Sequence, residues 1–338
     1  MKVAVVILNW NGRSFLEKFL PFVIKYSSDI AEIIVADNAS SDDSVNFLKN
    51  NFPENRLIIN ESNGGFAKGY NDALKQIEAE YYILLNSDIE VTPGWIEPVI
   101  RLMDSDKNIA ACQPKLLSYY ERNKFEYAGA AGGFIDKYGY PFCRGRMFLS
   151  LEEDLGQYDN NCEIFWATGA CLFVRAELFH KFGGLDEDFF AHMEEIDFCW
   201  RLKNHGYKIM YCHESKIYHI GGGTLPKSSA RKTYLNFRNN FTLLYKNLPK
   251  NRVFPVFSIR LVLDSIAAFK FLLDGGLRDF LAVTRAHLSF YRRFGRIRQK
   301  RKMQVQQTVE QIYKASIVKE YHISGKKKFS ELNSSKFL

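Results

Sequence analysis

The sequence lacks the features that mark membrane-spanning, secreted and disulfide-rich proteins. No uninterrupted apolar run reaches about 18 residues, so no membrane-spanning helix is predicted. Only Lys2 separates Met1 from the first apolar run, which gives no indication of a secretory signal. The six cysteines show no Cys-x-x-Cys spacing and lie mostly in apolar contexts. They predict reduced core thiols in a cytoplasmic protein, without disulfides.

Excess positive charge is absent from most of the chain and concentrated near its end. Residues 291–328 hold 12 Lys+Arg against two acids, a local charge of +10, whereas the whole chain carries +8. The rest therefore sums to −2, and this segment predicts an anionic partner. No recognition-helix, zinc or RNA-binding signature is present, so a nucleic-acid-binding protein is the least favoured interpretation.

Three apolar runs of the kind that form buried parallel strands each end in a polar cluster. Because ligands of open α/β sheets bind at the carboxyl ends of strands, these clusters predict a site. The runs are residues 3–8 before Asn9, residues 33–36 before Asp37, and residues 81–85 before Asn86-Ser87-Asp88. The length of 338 residues and the hydrophobic share of 46% predict one large α/β domain with an appendage.

An acidic cluster and a histidine are the other candidates for chemistry. Glu194, Glu195 and Asp197 open a helix among apolar neighbours, which tends to raise carboxyl pKa values toward those of a general base. The alternative is that the helix dipole alone favours these acids. His219 ends a strand before three glycines, and is either a metal ligand or a hydrogen-bonded core residue. With Asp88 it would suit Mn²⁺ or Mg²⁺.

Together these motifs resemble the family 2 inverting glycosyltransferases of GT-A fold, notably the rhamnosyltransferase-like bacterial members. The resemblance covers residues 1–245, with a donor-binding half at about 1–110 and an acceptor half at about 111–245. It implies a mixed sheet with helices on both faces. The motifs that carry it are residues 3–12, Asp37-Asn38-Ala39-Ser40, Asn63-Gly64-Gly65-Phe66-Ala67, residues 84–88, Thr168-Gly169-Ala170, Gly183-Gly184-Leu185-Asp186, residues 189–201, and His219 with its glycines.

The resemblance also implies roles for individual residues. Asp88 would bind the diphosphate through a metal, Mn²⁺ or Mg²⁺, that His219 also holds. Glu195 would be the catalytic base, with Glu194 as the fallback, where the family usually has an aspartate as the second acid. Asn86 stands where many members have the first acid of an Asp-x-Asp signature. The remaining donor-binding residues would be Asn9, Asn11, Asp37 at the nucleotide base, Asn63, Asn71, Gly169 and Arg238.

The implied reaction moves a sugar from a nucleotide diphosphate to a hydroxyl group with inversion. The expected donor is thymidine-diphosphate rhamnose or a uridine-diphosphate hexose, and the expected acceptor is a lipid-linked glycan or a polysaccharide. Two alternatives keep the fold: a nucleotide-sugar-binding protein and a nucleotidyltransferase. The second would need an early Gly-rich loop with basic residues, which Asn9-Trp10-Asn11-Gly12-Arg13 does not resemble.

Residues 246–298 predict amphipathic helices broken at Gly275-Gly276. Arg278, Arg285 and Arg292 recur every seven residues beside apolar side chains, a pattern typical of helices that lie in a membrane interface. The alternatives are a cover for the enzyme's own core and a homo-oligomer contact. Residues 299–338 predict a basic, partly mobile tail. We therefore expect a cytoplasmic protein peripherally associated with the inner face of the plasma membrane, through anionic lipid.

Overall fold

A mixed β-sheet forms the centre of the protein in the computed structural model, which describes residues 2–221 and 229–337. The strands in these residues are β1 (Val3–Asn9), β2 (Glu32–Asp37), β3 (Arg56–Ile59), β4 (Tyr81–Asn86), β5 (Ile89–Val91), β6 (Ile109–Ser118), β7 (Gly133–Asp136), β8 (Pro141–Cys143), β9 (Arg146–Met147), β10 (Ser150–Leu151), β11 (Cys162–Ile164), β12 (Cys171–Arg175), β13 (Lys208–His219) and β14 (Ile312–Tyr313). The helices are α1 (Arg13–Ser27), α2 (Ser44–Asn51), α3 (Gly65–Leu74), α4 (Glu97–Ser105), α5 (Ala176–Lys181), α6 (Glu194–Lys203), α7 (Ala230–Asn247), α8 (Lys250–Leu273), α9 (Leu277–Arg292), α10 (Phe294–Lys302) and α11 (Ile317–His322).

The main sheet has the strand order β11-β13-β6-β12-β4-β1-β2-β3, with β5 paired to β13. Strands β1 to β4 are mutually parallel, and β12 runs antiparallel between β4 and β6. Strand order reverses at β1, because β2 and β3 lie on one side of it and β4 on the other. The carboxyl ends of β1, β2 and β4 meet at this reversal, where open α/β sheets bind ligands.

Both faces of the main sheet are covered by apolar packing, because its central strands β1 and β4 carry uninterrupted apolar runs at residues 3–8 and 81–85. In β1, Ala4 and Val6 face one core, which includes residues of α3 and α6. Val3, Val5 and Ile7 face the other core, with residues of α1 and α4. This alternation confirms the prediction of buried strands with helices on both faces.

A second, smaller sheet, ordered β10-β9-β8-β7-β14, joins the middle of the chain to its end. Strand β14 pairs in parallel with β7. The ring of Tyr313 lies 5.0 Å from that of Phe337, and the ring of Phe134 lies 5.2 Å from that of Phe329. This packing differs from the expected mobile tail, because aromatic residues spaced along 303–337 complete the core over the second sheet.

The helices of residues 246–298 do not form a separate appendage. Helix α9 packs along α7, and α8 packs against both. Inside α8, Arg260 and Asp264 are buried and form an ion pair with 3.1 Å between Nη2 and Oδ1. The helix break at Gly275-Gly276 is as predicted. No helix in the described part of the chain combines the length and the apolar character needed to cross a bilayer.

Strand β13 is continuous over Lys208–His219, although a bulge between Cys212 and Lys216 interrupts its pairing with β6.

Candidate active site

Polar side chains from β1 and β2 meet at the reversal of strand order. Asn9 and Asp37 are partners in the strand register, and Asn9 Nδ2 donates to Asp37 Oδ2 at 3.0 Å. The other oxygen, Asp37 Oδ1, accepts from the backbone N–H of Ser40 at 2.8 Å. Both side chains are buried. The predicted nucleotide-base pocket therefore has a rigid floor of paired polar groups.

Two other residues predicted to bind the donor, Asn11 and Asn63, form hydrogen bonds to the backbone of the neighbouring loops. Asn11 Oδ1 accepts from the backbone N–H of Ser41 at 2.7 Å. Asn63 Oδ1 accepts from the backbone N–H of Gly65 at 2.9 Å. Gly65 has φ of +89°, and a Cβ there would lie 2.4 Å from the carbonyl oxygen of Phe190. The glycine thus allows the backbone at Phe190 to pass close to the start of α3.

The ends of β4 and β13 bring together Asp88 and His219, as the sequence predicted. His219 Nε2 lies 3.2 Å from Asp88 Oδ1, and His219 Nδ1 lies 3.1 Å from Glu126 Oε2. All three side chains are buried. Burial lowers the pKa of His219, but Asp88 and Glu126 outweigh it and raise that pKa well above its usual value. Glu126 was not anticipated, because it lies in an irregular stretch far from both partners in sequence.

Asp88 and His219 are ligand types that a divalent cation takes, and the raised pKa means that binding it would release the proton of His219. Ligands at right angles on a cation with bonds of about 2.2 Å are separated by about 3.1 Å, close to the 3.2 Å between His219 and Asp88. A carboxylate on the second ring nitrogen, here Glu126, is the usual support of a metal-bound histidine. Residues 2–221 and 229–337 contain no group of three or more His, Cys, Asp or Glu placed to hold a metal ion. A cation bound here would therefore take its other ligands from substrate and water, as Mg²⁺ commonly does.

Two acids at the start of α6 differ in environment. Glu194 is 4% exposed, and burial together with the charge of Glu195 raises its pKa well above the usual value. Glu195 is partly exposed, and burial raises its pKa to about 7. One carboxylate oxygen of each has no hydrogen-bond partner among the described residues. Burial thus favours the neutral form of both carboxyl groups, and the partly exposed Glu195 is the more accessible of the two as a proton acceptor.

Glu195 belongs to the same edge of the sheet as Asp88. A Cβ at Gly169 would lie 3.7 Å from the Cβ of Glu195 and 3.1 Å from Phe66. The next residue, Ala170, accepts through its carbonyl from the N–H of Asn86 at 2.9 Å. Two adjacent residues, Gly169 and Ala170, therefore contact Glu195 of α6 and the end of β4, respectively.

A strained segment holds the start of α6 in position. Phe190, His192 and Met193 have φ of +66°, +70° and +75° although none is glycine. The side chain of Asn239 donates to the carbonyl groups of Phe189, Ala191 and His192 at 3.0, 2.9 and 2.8 Å. Such backbone persists only where its surroundings fix it, and this one amide supplies three of the fixing contacts.

Two residues expected to contact the donor instead support this region. Asn71 forms a pair of hydrogen bonds with the backbone of Leu185, 2.8 Å from Nδ2 to the carbonyl and 3.0 Å from the N–H to Oδ1. Arg238 Nη2 donates to the carbonyl groups of Asp188 and Phe189 at 3.1 and 2.8 Å. In this structure both side chains therefore hold the backbone of residues 185–189, and their contact with a donor stays a prediction.

Asp197, the third acid of the sequence cluster, is structural. It is fully buried, and its Oδ2 lies 2.8 Å from Lys246 Nζ and 2.9 Å from Arg201 Nε. Lys246 also contacts Asp186 Oδ2 at 2.6 Å. Asp186 in turn pairs with Lys300 of α10. Part of the basic C-terminal segment therefore neutralises buried acids next to the site.

Comparison with known sequences agrees with this arrangement. A family model for glycosyl transferase family 2 matches residues 4–183. The N-acetylglucosaminyl-diphospho-decaprenol L-rhamnosyltransferase of Mycobacterium tuberculosis is 23% identical over 230 residues, 64% of this chain and 75% of that protein. The low-salt glycan biosynthesis hexosyltransferase Agl10 of Haloferax volcanii is 24% identical over 247 residues, 71% of this chain and 74% of that protein.

Solved structures with a similar fold are glycosyltransferases. GalNAc-T7 with UDP, GalNAc and Mn²⁺ has a TM-score of 0.58 at 17% identity over 74% of this chain, which spans about half of that protein (48%). Residues 1–349 of S. aureus TarS in complex with UDP-GlcNAc have a TM-score of 0.57 at 16% identity over 89% of this chain and 84% of that one. At these identities the likeness shows the fold, and the expected GT-A architecture is confirmed.

Proposed function

The chain belongs to glycosyl transferase family 2, and from this premise we propose that it is an inverting enzyme that uses a nucleotide-diphosphate sugar. The observation that carries the proposal is the common edge of the sheet that holds Glu195 and the Asp88–His219 pair. A carboxylate with a pKa near 7 stands there beside a pair suited to a metal ion. A general base and a site for the leaving diphosphate are what single displacement at a sugar carbon requires.

In the proposed reaction, Glu195 accepts the proton of the acceptor hydroxyl as its oxygen attacks the anomeric carbon. The bond from that carbon to the diphosphate breaks on the opposite face, so configuration inverts without a covalent intermediate. Asp88 and His219 would hold Mn²⁺ or Mg²⁺, which supplies positive charge to the departing diphosphate. Glu126 fixes the ring of His219, while Asn9 and Asp37 form the floor under the nucleotide base.

The names of the relatives support a cell-surface glycan pathway. The mycobacterial relative is named for rhamnose transfer to a lipid-linked sugar, and the archaeal one for hexose transfer in glycan biosynthesis. We propose thymidine-diphosphate rhamnose or a uridine-diphosphate hexose as donor. The proposed acceptor is a hydroxyl group of a lipid-linked glycan or a polysaccharide.

The metal site can be tested by donor binding alone. Asp88→Asn should weaken Mn²⁺-dependent binding of a nucleoside diphosphate by at least about 10- to 100-fold, the loss typical of removing even a supporting residue of a metal site. Titration calorimetry with UDP and with dTDP, each with Mn²⁺ or with chelator, measures this effect. Glu90→Gln, two residues away and paired with Arg122 at 2.9 Å, is the control and should bind as the unaltered protein does. Unchanged metal-dependent binding in Asp88→Asn would contradict the assignment.

The exposed apolar side chains of α8 support a proposed contact with a membrane surface. It buries the Arg260–Asp264 pair and exposes Phe254, Val262, Ile266 and Leu273 by 60 to 86%. This is the reverse of a helix that covers a soluble core. With the basic residues around it, such a face suits an anionic lipid interface. We propose that the enzyme docks there on the inner face of the plasma membrane.

The docking face is tested with the full chain, because residues 312–337 complete the second sheet and truncation would disrupt it. Val262→Asp combined with Ile266→Asp should abolish flotation with vesicles that contain anionic lipid, since two inserted apolar side chains are replaced by repelled charges. The control pair is Leu149→Asp with Leu155→Asp, which lie 84% and 82% exposed outside α8. Light scattering follows oligomeric size. If the α8 pair changes oligomeric size and leaves flotation intact, the face is a subunit contact instead.

A further inference from the structure

Helices α7 and α9 line an open surface cavity outside the nucleotide site. Its volume is about 400 Å³, within the range of about 300–1,000 Å³ that is usual for small-molecule sites. In its wall, the hydroxyl group of Tyr234 of α7 donates to that of Ser289 of α9 at 2.9 Å. The lining residues are Tyr234, Arg285, Leu288, Ser289 and Arg292.

The charge lining this cavity is positive. Arg285 and Arg292 are exposed, and neither has an ion-pair or hydrogen-bond partner in the part of the chain that the structure describes. Burial raises the pKa of Tyr234, but its bond with Ser289 and the neighbouring Arg238 and Arg293 outweigh burial and lower that pKa. Arg238 and Arg293 thus add positive charge close to Tyr234, and Arg285 and Arg292 add two more unpaired cations at the cavity, an arrangement that attracts an anion.

The cavity adjoins the catalytic segment through α7. Residues 231, 234 and 238 are spaced along one face of that helix. Arg231 lies over the ring of Phe190 at 5.2 Å, and Arg238 donates to the carbonyl of Phe189 at 2.8 Å. Tyr234 lies between these two arginines on the helix, so the cavity and the loop that leads into Glu195 are joined by neighbouring residues of α7.

An apolar path leads from the cavity along α9. Leu277, Leu281, Arg285, Leu288 and Arg292 follow one another at intervals of three or four residues, so they form one stripe on the helix. Leu277, Leu281 and Leu288 are 58%, 38% and 50% exposed. The stripe thus joins an apolar surface to the two arginines.

We propose that this cavity binds the diphosphate of a prenyl-diphosphate-linked acceptor, with the prenyl chain along the leucines of α9. The proposal rests on the proposed function and specifies its acceptor class. Arg285 and Arg292 are separated by two helical turns, about 10.5 Å along the axis, so two guanidinium groups can reach two linked phosphoryl groups. Arginine suits this task because its planar fork bonds two phosphate oxygens at once. The acceptor sugar would then extend past Tyr234 toward Glu195.

The test measures binding of farnesyl diphosphate to the full chain by calorimetry, in chelator so that the metal-dependent diphosphate site cannot contribute. The unaltered protein should bind it, and Arg285→Ala and Arg292→Ala should each weaken binding about tenfold. The affinity of Arg292→Lys should lie between those of the unaltered protein and Arg292→Ala, because lysine keeps the positive charge but lacks the planar fork of arginine. Arg278→Ala removes the same charge from the same helix outside the cavity and should have no effect. All three positions are exposed, so melting temperatures of the four variants should be unchanged.

Equal binding by Arg285→Ala, Arg292→Ala and the unaltered protein would overturn the proposal. So would loss of affinity for anionic vesicles in these variants with farnesyl diphosphate binding retained, because the cavity would then be a site for lipid headgroups. Metal-dependent hydrolysis of nucleotide sugars without acceptor is measured in parallel. If no nucleotide sugar is hydrolysed or bound, the proposed function fails, while the farnesyl diphosphate experiment still decides what the cavity binds.

Discussion

Glu195→Gln is expected to lose sugar transfer by about 10²- to 10⁴-fold while donor binding is retained. The amide has nearly the shape of the carboxyl group but cannot accept the proton of the acceptor hydroxyl. Glu195 is the better base of the pair because it is partly exposed and its pKa is raised to about 7, whereas Glu194 is buried and its pKa is raised well above the usual value. Transfer is measured as release of nucleoside diphosphate in the presence of acceptor, and binding by calorimetry.

The pH dependence provides an independent check of this assignment. Activity of the unaltered enzyme should fall as pH drops below about 7, because Glu195 then takes up a proton. An acid whose pKa is raised by folding makes the folded state less stable above its ordinary pKa of about 4.3. Glu195→Gln should therefore be at least as stable as the unaltered protein at pH 8, which separates lost catalysis from unfolding. Glu194→Gln is the matched control, and a larger loss of transfer there would make Glu194 the base.

The strands that end at the site could be predicted because their signal is local. Val3–Asn9, Glu32–Asp37 and Tyr81–Asn86 each contain a run of buried apolar residues that stops at a polar residue, so the sequence indicates both their burial and their carboxyl ends. The amphipathic pattern of residues 246–298 was also readable. The sequence did not indicate which face of α8 points inward. That depends on the buried Arg260–Asp264 pair, whose hydrogen-bond partners come from elsewhere in the chain.

The same distinction applies to the site. Asp88 and His219 could be anticipated because each ends a strand, and the sheet brings strand ends together. Glu126 and Asn239 could not, because their roles depend on contacts with residues about 50 to 90 positions away. Asn71 and Arg238 matched the polar pattern expected of donor contacts, but their partners are backbone groups that only the folded chain provides. A pattern of residue types does not distinguish a ligand contact from a buried bond to backbone.

Lys246→Met is expected to lower the free energy of unfolding by about 3 kcal/mol, the lower end of the cost of breaking a buried ion pair. Lys246 is fully buried and lies 2.8 Å from Asp197 and 2.6 Å from Asp186. We expect the lower end of this range because, in the variant, Asp197 still forms its ion pair with Arg201 and Asp186 still forms its ion pair with Lys300. Methionine fills a similar volume, so the change tests the charge and not the packing. Chemical denaturation followed by circular dichroism measures the effect.

The matched control is Lys270→Met, which removes a lysine paired with Asp274 at 2.6 Å where both side chains are more than 60% exposed. Exposed pairs contribute about 0 to 1 kcal/mol, so this variant should unfold almost as the unaltered protein does. The double variant Asp197→Asn with Lys246→Met should lose less stability than the sum of its two single variants, because each removes the partner of the other. Equal stability of Lys246→Met and Lys270→Met would contradict the view that one buried cation joins α6, which carries Glu195, to α7.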